Sequence, residues 1–161
     1  MQSQNLFGIN ACLAKAGLTG LSGAATTFTT ANALVYAIGG KAYAKAAVAG
    51  GASPVVDGVT GLPITLVANK GTVIVWALDA AGTVFAVQGS TEALLPSGNF
   101  MLAAPQFPSM PDTLTPFAYS ITKAGATAVG TWTFGVSNWN ATGMSHVAQD
   151  VIVLPVRPQT A

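Results

Sequence analysis

Hydrophobic residues in this chain recur at every second position over short runs, with glycine, proline or aspartate between the runs. Runs of about four to eight residues of this kind, bounded by turn formers, predict β-strands. Thr26–Thr30 is β-branched and aromatic. Leu34–Ile38 and Lys41–Lys45 flank Gly39-Gly40, and a two-residue glycine linker between alternating runs predicts a hairpin. In its second arm Lys41, Tyr43 and Lys45 share one face and the alanines take the other. Ala49–Gly61, with Pro54, reads as a loop, and Pro63–Val67 as a strand. The clearest hairpin joins Thr72–Leu78 to Thr83–Gln88 through Asp79-Ala80-Ala81-Gly82, a type I turn completed by glycine at positive φ.

The first arm of that hairpin is apolar on both sides: Ile74, Trp76 and Leu78 on one face, Val73, Val75 and Ala77 on the other. A half-exposed antiparallel strand alternates with polar residues. Two apolar faces predict burial on both, one inside a sandwich and the other against a second subunit. Gly89–Pro116 carries Pro96, Pro105, Pro108, Pro111 and Pro116. Proline breaks helices and blocks central strands, so an irregular excursion is expected there, with a short strand near Asn99–Ala103. Glu92 after Ser90-Thr91 reads as the start of one helical turn. Strands resume at Phe117–Thr122, Ala128–Phe134 and Ser145–Pro155. About eight short strands with no long helix predict an all-β fold, an antiparallel sandwich or jelly-roll-like domain.

Residues 1–30 differ. Leu6, Phe7, Ile9, Leu13, Leu18 and Leu21 are spaced irregularly among small residues, and Gly8, Gly17, Gly20 and Gly23 interrupt the stretch. Asn10–Ala16 allows one or two helical turns stopped by Gly17. An apolar leader is poorly suited to disorder, so residues 1–30 are expected to form an extended N-terminal arm on a neighbour's surface. Residues 31–161 form the single sandwich domain.

Charge sharpens that expectation. Only 7% of the 161 residues are charged, against 51% hydrophobic, with mean hydropathy +0.54. Ordinary domains carry roughly 25% charged residues. No apolar run approaches the roughly 20 residues of a spanning helix, so a membrane is not the expected partner. The five lysines and Arg157 are scattered singly, whereas nucleic-acid binders cluster their basic residues. No Lys or Arg precedes Lys15, which argues against a secretory signal. What remains is burial against other protein. The residues expected to face partners are Leu6, Phe7, Ile9, Leu13, Leu18, Leu21, Val73, Val75, Trp76 and Trp139.

Candidate chemistry is sparse. His146 is the only histidine and Cys12 the only cysteine, so no internal disulfide and no ligand set of zinc spacing exist. His146 and Asp150 on one strand lie roughly 13 Å apart, too far to act as a pair. Asp57, Asp79 and Asp112 sit in turns, where they cap backbone. No phosphate loop follows Gly40-Lys41. Asn140-Ala141-Thr142 fits a glycosylation tripeptide. Trp132, Trp139 and Tyr119 are the candidates for stacking on a sugar, the alternative a carbohydrate-binding module would need. No catalytic residue, metal or cofactor is expected.

The hairpin from Ala33 to Lys45 and the block from Val67 to Gly89 resemble small tailed-bacteriophage virion proteins of the head decoration, cement or head-fibre type. Phe100–Pro111 and Phe134–Gly143 fit the same group. The resemblance covers roughly residues 30–158 and carries no catalytic signature. It implies a β-rich homo-oligomer, a trimer, on the outer surface of the phage head, clamping neighbouring major capsid subunits. A tail, baseplate or fibre-attachment component is the structural alternative.

Overall fold

The computed structural model describes residues 9–159. They form twelve strands and, among the described residues, no helix. In chain order these are β1 (Ala11–Cys12), β2 (Leu18–Thr19), β3 (Thr27–Thr30), β4 (Leu34–Ile38), β5 (Lys41–Lys45) and β6 (Gly51–Ala52). Then come β7 (Thr65–Val67), β8 (Lys70–Leu78), β9 (Val84–Ala93), β10 (Thr115–Ala124), β11 (Thr131–Thr133) and β12 (Met144–Asp150). The four longest build one antiparallel sheet in the order β12-β10-β8-β9. Three small sheets, β1-β4-β5, β2-β3-β6 and β11-β7, accompany it. The chain is an all-β sandwich.

The turns follow from local chemistry. Gly39 and Gly40 take φ of 56° and 80°, the two positive values that a twist-compatible hairpin turn needs. Gly82 closes the β8–β9 turn at φ 78°. There Asp79 Oδ1 accepts hydrogen bonds from the amides of Ala81 and Thr83.

β8 is buried along nearly its whole length, and its alternation sorts two cores. Ile74, Trp76 and Leu78 enter the main core with Leu34, Tyr36, Ile64, Leu66, Phe117, Phe134 and Trp139. Val73 and Val75 join Tyr119 and Ile121 on the opposite face. That second face is covered by the chain itself. Phe100, Phe107, Met110, Val151 and Leu154 pack on it, with the Phe107 ring edge-on to Tyr119 at 5.1 Å. The expectation that a second subunit covers Val73 and Val75 is therefore corrected: the proline-rich span folds back as their lid. Trp76 is likewise sealed inside, its ring 5.2 Å from both Phe28 and Phe134, with Nε1 donating to Ser120 Oγ at 3.2 Å.

The N-terminal segment also departs from expectation. Within the described part, residues 9–30 belong to the domain and do not extend from it as an arm. Ala11 and Cys12 pair with Ala37 and Tyr36, Leu18 and Thr19 with Thr30 and Thr29. Cys12, Ala16, Leu18 and Leu21 are buried in the main core. Asp150 anchors the segment, its carboxylate accepting from the amides of Gly17 and Leu18 at 3.0 and 3.2 Å. Long-range pairing and apolar burial order this glycine-interrupted segment, and two of its glycines serve as turns: Gly17 and Gly20 both have positive φ. No helical turn forms at Asn10–Ala16, and Glu92 lies in strand β9. Leu6 and Phe7 lie outside the described residues.

Candidate functional site

Three groups able to do chemistry, His146, Asp57 and Cys12, are each engaged in holding the fold. His146, on β12, stands between two indoles, 5.1 Å from Trp132 and 5.0 Å from Trp139. Its Nε2 lies 3.1 Å from the Trp139 carbonyl oxygen, which can only accept, so the ring proton sits on Nε2. Nδ1 then accepts from the Thr122 hydroxyl at 3.1 Å. Desolvation by burial pushes its pKa down to about 4, against the opposing bond to Trp139. A neutral ring with both nitrogens engaged has none free to move a substrate proton.

Asp57 is a buried carboxylate used as a clamp. Oδ1 accepts from the Val59 and Thr60 amides and the Thr60 hydroxyl, and Oδ2 from the Gln88 amide at 2.6 Å. Burial alone raises a carboxyl pKa, but these donors, Gln88 foremost, hold it below the usual range. The clamp fixes loop 53–62 to β9, where Asp57 also bridges Ala86. Cys12 is buried, with Sγ 3.0 Å from the Ala14 carbonyl, and burial raises its thiol pKa. That is the opposite of an activated cysteine. Among the described residues, no three of His, Cys, Asp and Glu gather as a metal site.

The rings proposed for sugar stacking are enclosed. Trp132, Trp139 and Tyr119 are all buried, and both indole N–H groups bond to backbone carbonyls, of Asn138 and Thr27. No flat aromatic platform faces solvent at these three positions.

What the exterior offers instead is apolar surface. Seventeen large hydrophobic side chains are exposed among the described residues, against six basic and five acidic residues in the whole chain. Of the ten residues expected to face partners, Ile9 and Leu13 are exposed at 47% and 61%. Leu18, Leu21, Val73, Val75, Trp76 and Trp139 are buried within the chain itself. Sequence reasoning missed most of the exposed set.

Two groups of these residues are brought together. The first is the loop of Val55, Val56, Val59 and Leu62, all exposed. Gly135 packs directly on Pro54 and Val55, which places exposed Val136 beside this loop. The second is the outer face of the β1-β4-β5 sheet. Ladder partners point to the same side of a sheet, so Ala11, Ala37 and Ala42 form one row. The bond from the Leu13 amide to the Val35 carbonyl extends the ladder, and Leu13, Val35 and Ala44 form the next row. Cys12, Tyr36 and Tyr43 point inward between these rows. The outer rows hold no polar side chain.

Comparison with protein-family models, curated proteins and solved structures finds no match to this chain.

Proposed function

We propose that this protein is a non-enzymatic structural component of a phage virion, a head decoration or cement protein that self-associates and clamps major capsid subunits. The observation that carries the reading is the exterior: seventeen large hydrophobic side chains are exposed among the described residues, against eleven charged residues in the whole chain. Exposed apolar patches beyond a few hundred Å² mark association surfaces. Val35, Val67 and Val147 sit on ladders and Val55, Val56, Val59 and Leu62 on a clamped loop, so little ordering entropy is lost when a partner covers them. The phage context comes from the resemblance of residues 33–45 and 67–89 to virion proteins.

A cement protein acts by linkage: whatever binds only the closed shell stabilises it by RT ln(1 + [L]/Kd). Many copies on one lattice add avidity without new contacts. Each copy bridging two subunits therefore raises the cost of opening the shell under the pressure of packaged DNA. On this reading the protein is made in the host cytoplasm and ends on the outer surface of the head.

The test is co-sedimentation of the purified chain with phage heads lacking it, followed by heating. Saturable binding and a higher temperature of DNA release are expected. Labelled protein found only on tails would move the assignment to a tail or baseplate component. Absence of binding to any part of the virion would reject the phage reading.

A further inference from the structure

We infer that the outer face of the β1-β4-β5 sheet is a self-association surface, and that its occupant is the same face of a second copy related by a two-fold axis along the strands. Three features of the face select that occupant. The first is its relief. Across the sheet one row runs Leu13–Val35–Ala44, tall beside β1 and flat at β5; the next, Ala11–Ala37–Ala42, is alanine throughout, with Ala11 itself buried. Rotation about an in-plane axis parallel to β4 lays Leu13 of one copy over Ala44 of the other and Val35 over its own counterpart. Leu13 then meets Ala44 on both sides of the axis and the alanine row leaves room for close approach, the self-complementarity an isologous contact requires.

The second feature is charge. The rows carry none, so the contact strands no ion. Lys41 and Lys45 point to the inner side with Tyr43; the Lys41 ammonium lies 5.4 Å from the Tyr43 ring centre.

The third concerns the alternative of edge pairing. The Val35 carbonyl accepts from Leu13, so Val35 and Ala44 are a non-hydrogen-bonded pair and Tyr36 and Tyr43 a bonded one. The free backbone groups of β5 are therefore those of Ala42 and Ala44. Pairing two copies there in the register centred on Tyr43 sets Lys41 opposite Lys45, a like-charge contact that destabilises, and lysine on an edge is a common defence against such pairing. Copies meet by the face.

Strands at about 4.8 Å spacing, with five residues on β4 and β5 and three from Ala11 to Leu13 at about 3.4 Å each, give a footprint of roughly 200 Å². That suits the apolar centre of an interface hiding about 800 Å² per partner. Exposed Ile9 adjoins the face, and exposed Ile152 lies beside β1, its carbonyl bonded to Cys12; both fall at the rim.

The inference deepens the assembly reading but does not need a phage head. Sedimentation velocity on the full chain, Val35→Glu, Ala44→Glu and Val136→Glu tests it, with thermal melts confirming that each folds. Wild type and Val136→Glu should associate alike, as dimers or as paired trimers. The two face variants should weaken association at least about 100-fold. Mixing Leu13→Cys with Ala44→Cys chains under oxidation should give the mixed disulfide dimer, and this reading decides the matter if the glutamate variants do not fold. Folded face variants that associate like wild type, a wild type that stays single, or no mixed dimer would overturn it. Binding to heads is scored separately. Self-association through this face without head binding sinks only the phage reading, and head binding by a chain that never pairs sinks only this one.

Discussion

Strand β8 and strand β4 both present a second apolar face, and only one of them is covered. Val73 and Val75 are sealed by Phe100, Phe107 and Met110 from the long connection between β9 and β10, and by Val151 and Leu154 after β12. Val35, beside Leu13 and Ala44, remains open. The difference lies in connection length. Residues 94–114 are long enough to turn back over the sheet, and Pro105, Pro108 and Pro111 hold them extended without needing ladder partners. β4 and β5 are joined only by Gly39 and Gly40, a linker too short to fold back over the sheet. An apolar strand face thus states that cover is required, while the loop that follows decides whether the chain or a neighbour supplies it.

The sharpest way to break this comparison is to place a carboxylate on each face. Val75→Glu and Trp76→Asp should leave no cooperatively folded protein, because both bury an unpaired charge where exposure is nil; loss of the melting transition is the readout. A soluble, cooperatively melting Val75→Glu chain would show that the lid is not closed.

The next effect is a pH dependence. His146 has its pKa pushed down to about 4, below the ordinary 6.5, so the unfolded chain takes up a proton that the folded one refuses. Stability is complete above about pH 6.5 and declines by roughly 2–3 kcal/mol as pH falls to 4. His146→Gln should be less stable at neutral pH but flat across that window in urea melts. A slope equal to the wild-type one would remove His146 as its cause.

Asp57 comes next, and its window is lower. Its folded pKa is depressed, so its contribution is present above the unfolded value near 4 and is lost as pH falls through the folded one. Asp57→Asn should cost about 2 kcal/mol at neutral pH, as expected for bonds to a charged acceptor, and should free loop 53–62 to faster amide exchange. The smallest effect is expected from Val35→Glu, with stability changed by less than about 0.5 kcal/mol when both chains are melted at concentrations too low for association. Set beside Val75→Glu, that gap measures the difference between a covered and an open face.

The sequence made the local elements legible. The β4–β5 and β8–β9 hairpins are where glycine and aspartate turn chemistry placed them, because hairpin register is fixed within a few residues. The doubly apolar character of β8 was legible too, but the identity of its cover was not. Phe107 meets Tyr119 across an irregular segment, and no periodicity reports such a contact. Residues 9–30 escaped for a related reason. Strands of two residues are too short to show a period, and their partners, β4, β3 and the Asp150 carboxylate, are distant in sequence. Asp57 read correctly as a turn former, while its bond to Gln88 needed the fold. His146 reads from its neighbours as a polar strand residue, and only the meeting of Trp132 and Trp139 around it explains its low pKa.

Light scattering on the purified wild-type chain, followed across a wide concentration range, addresses the central claim most directly. A particle this poor in ionised groups, with its apolar exterior open, should show a mass above 16.1 kDa that grows with concentration toward a closed oligomer. A constant mass of one chain at the highest concentration reached would contradict it.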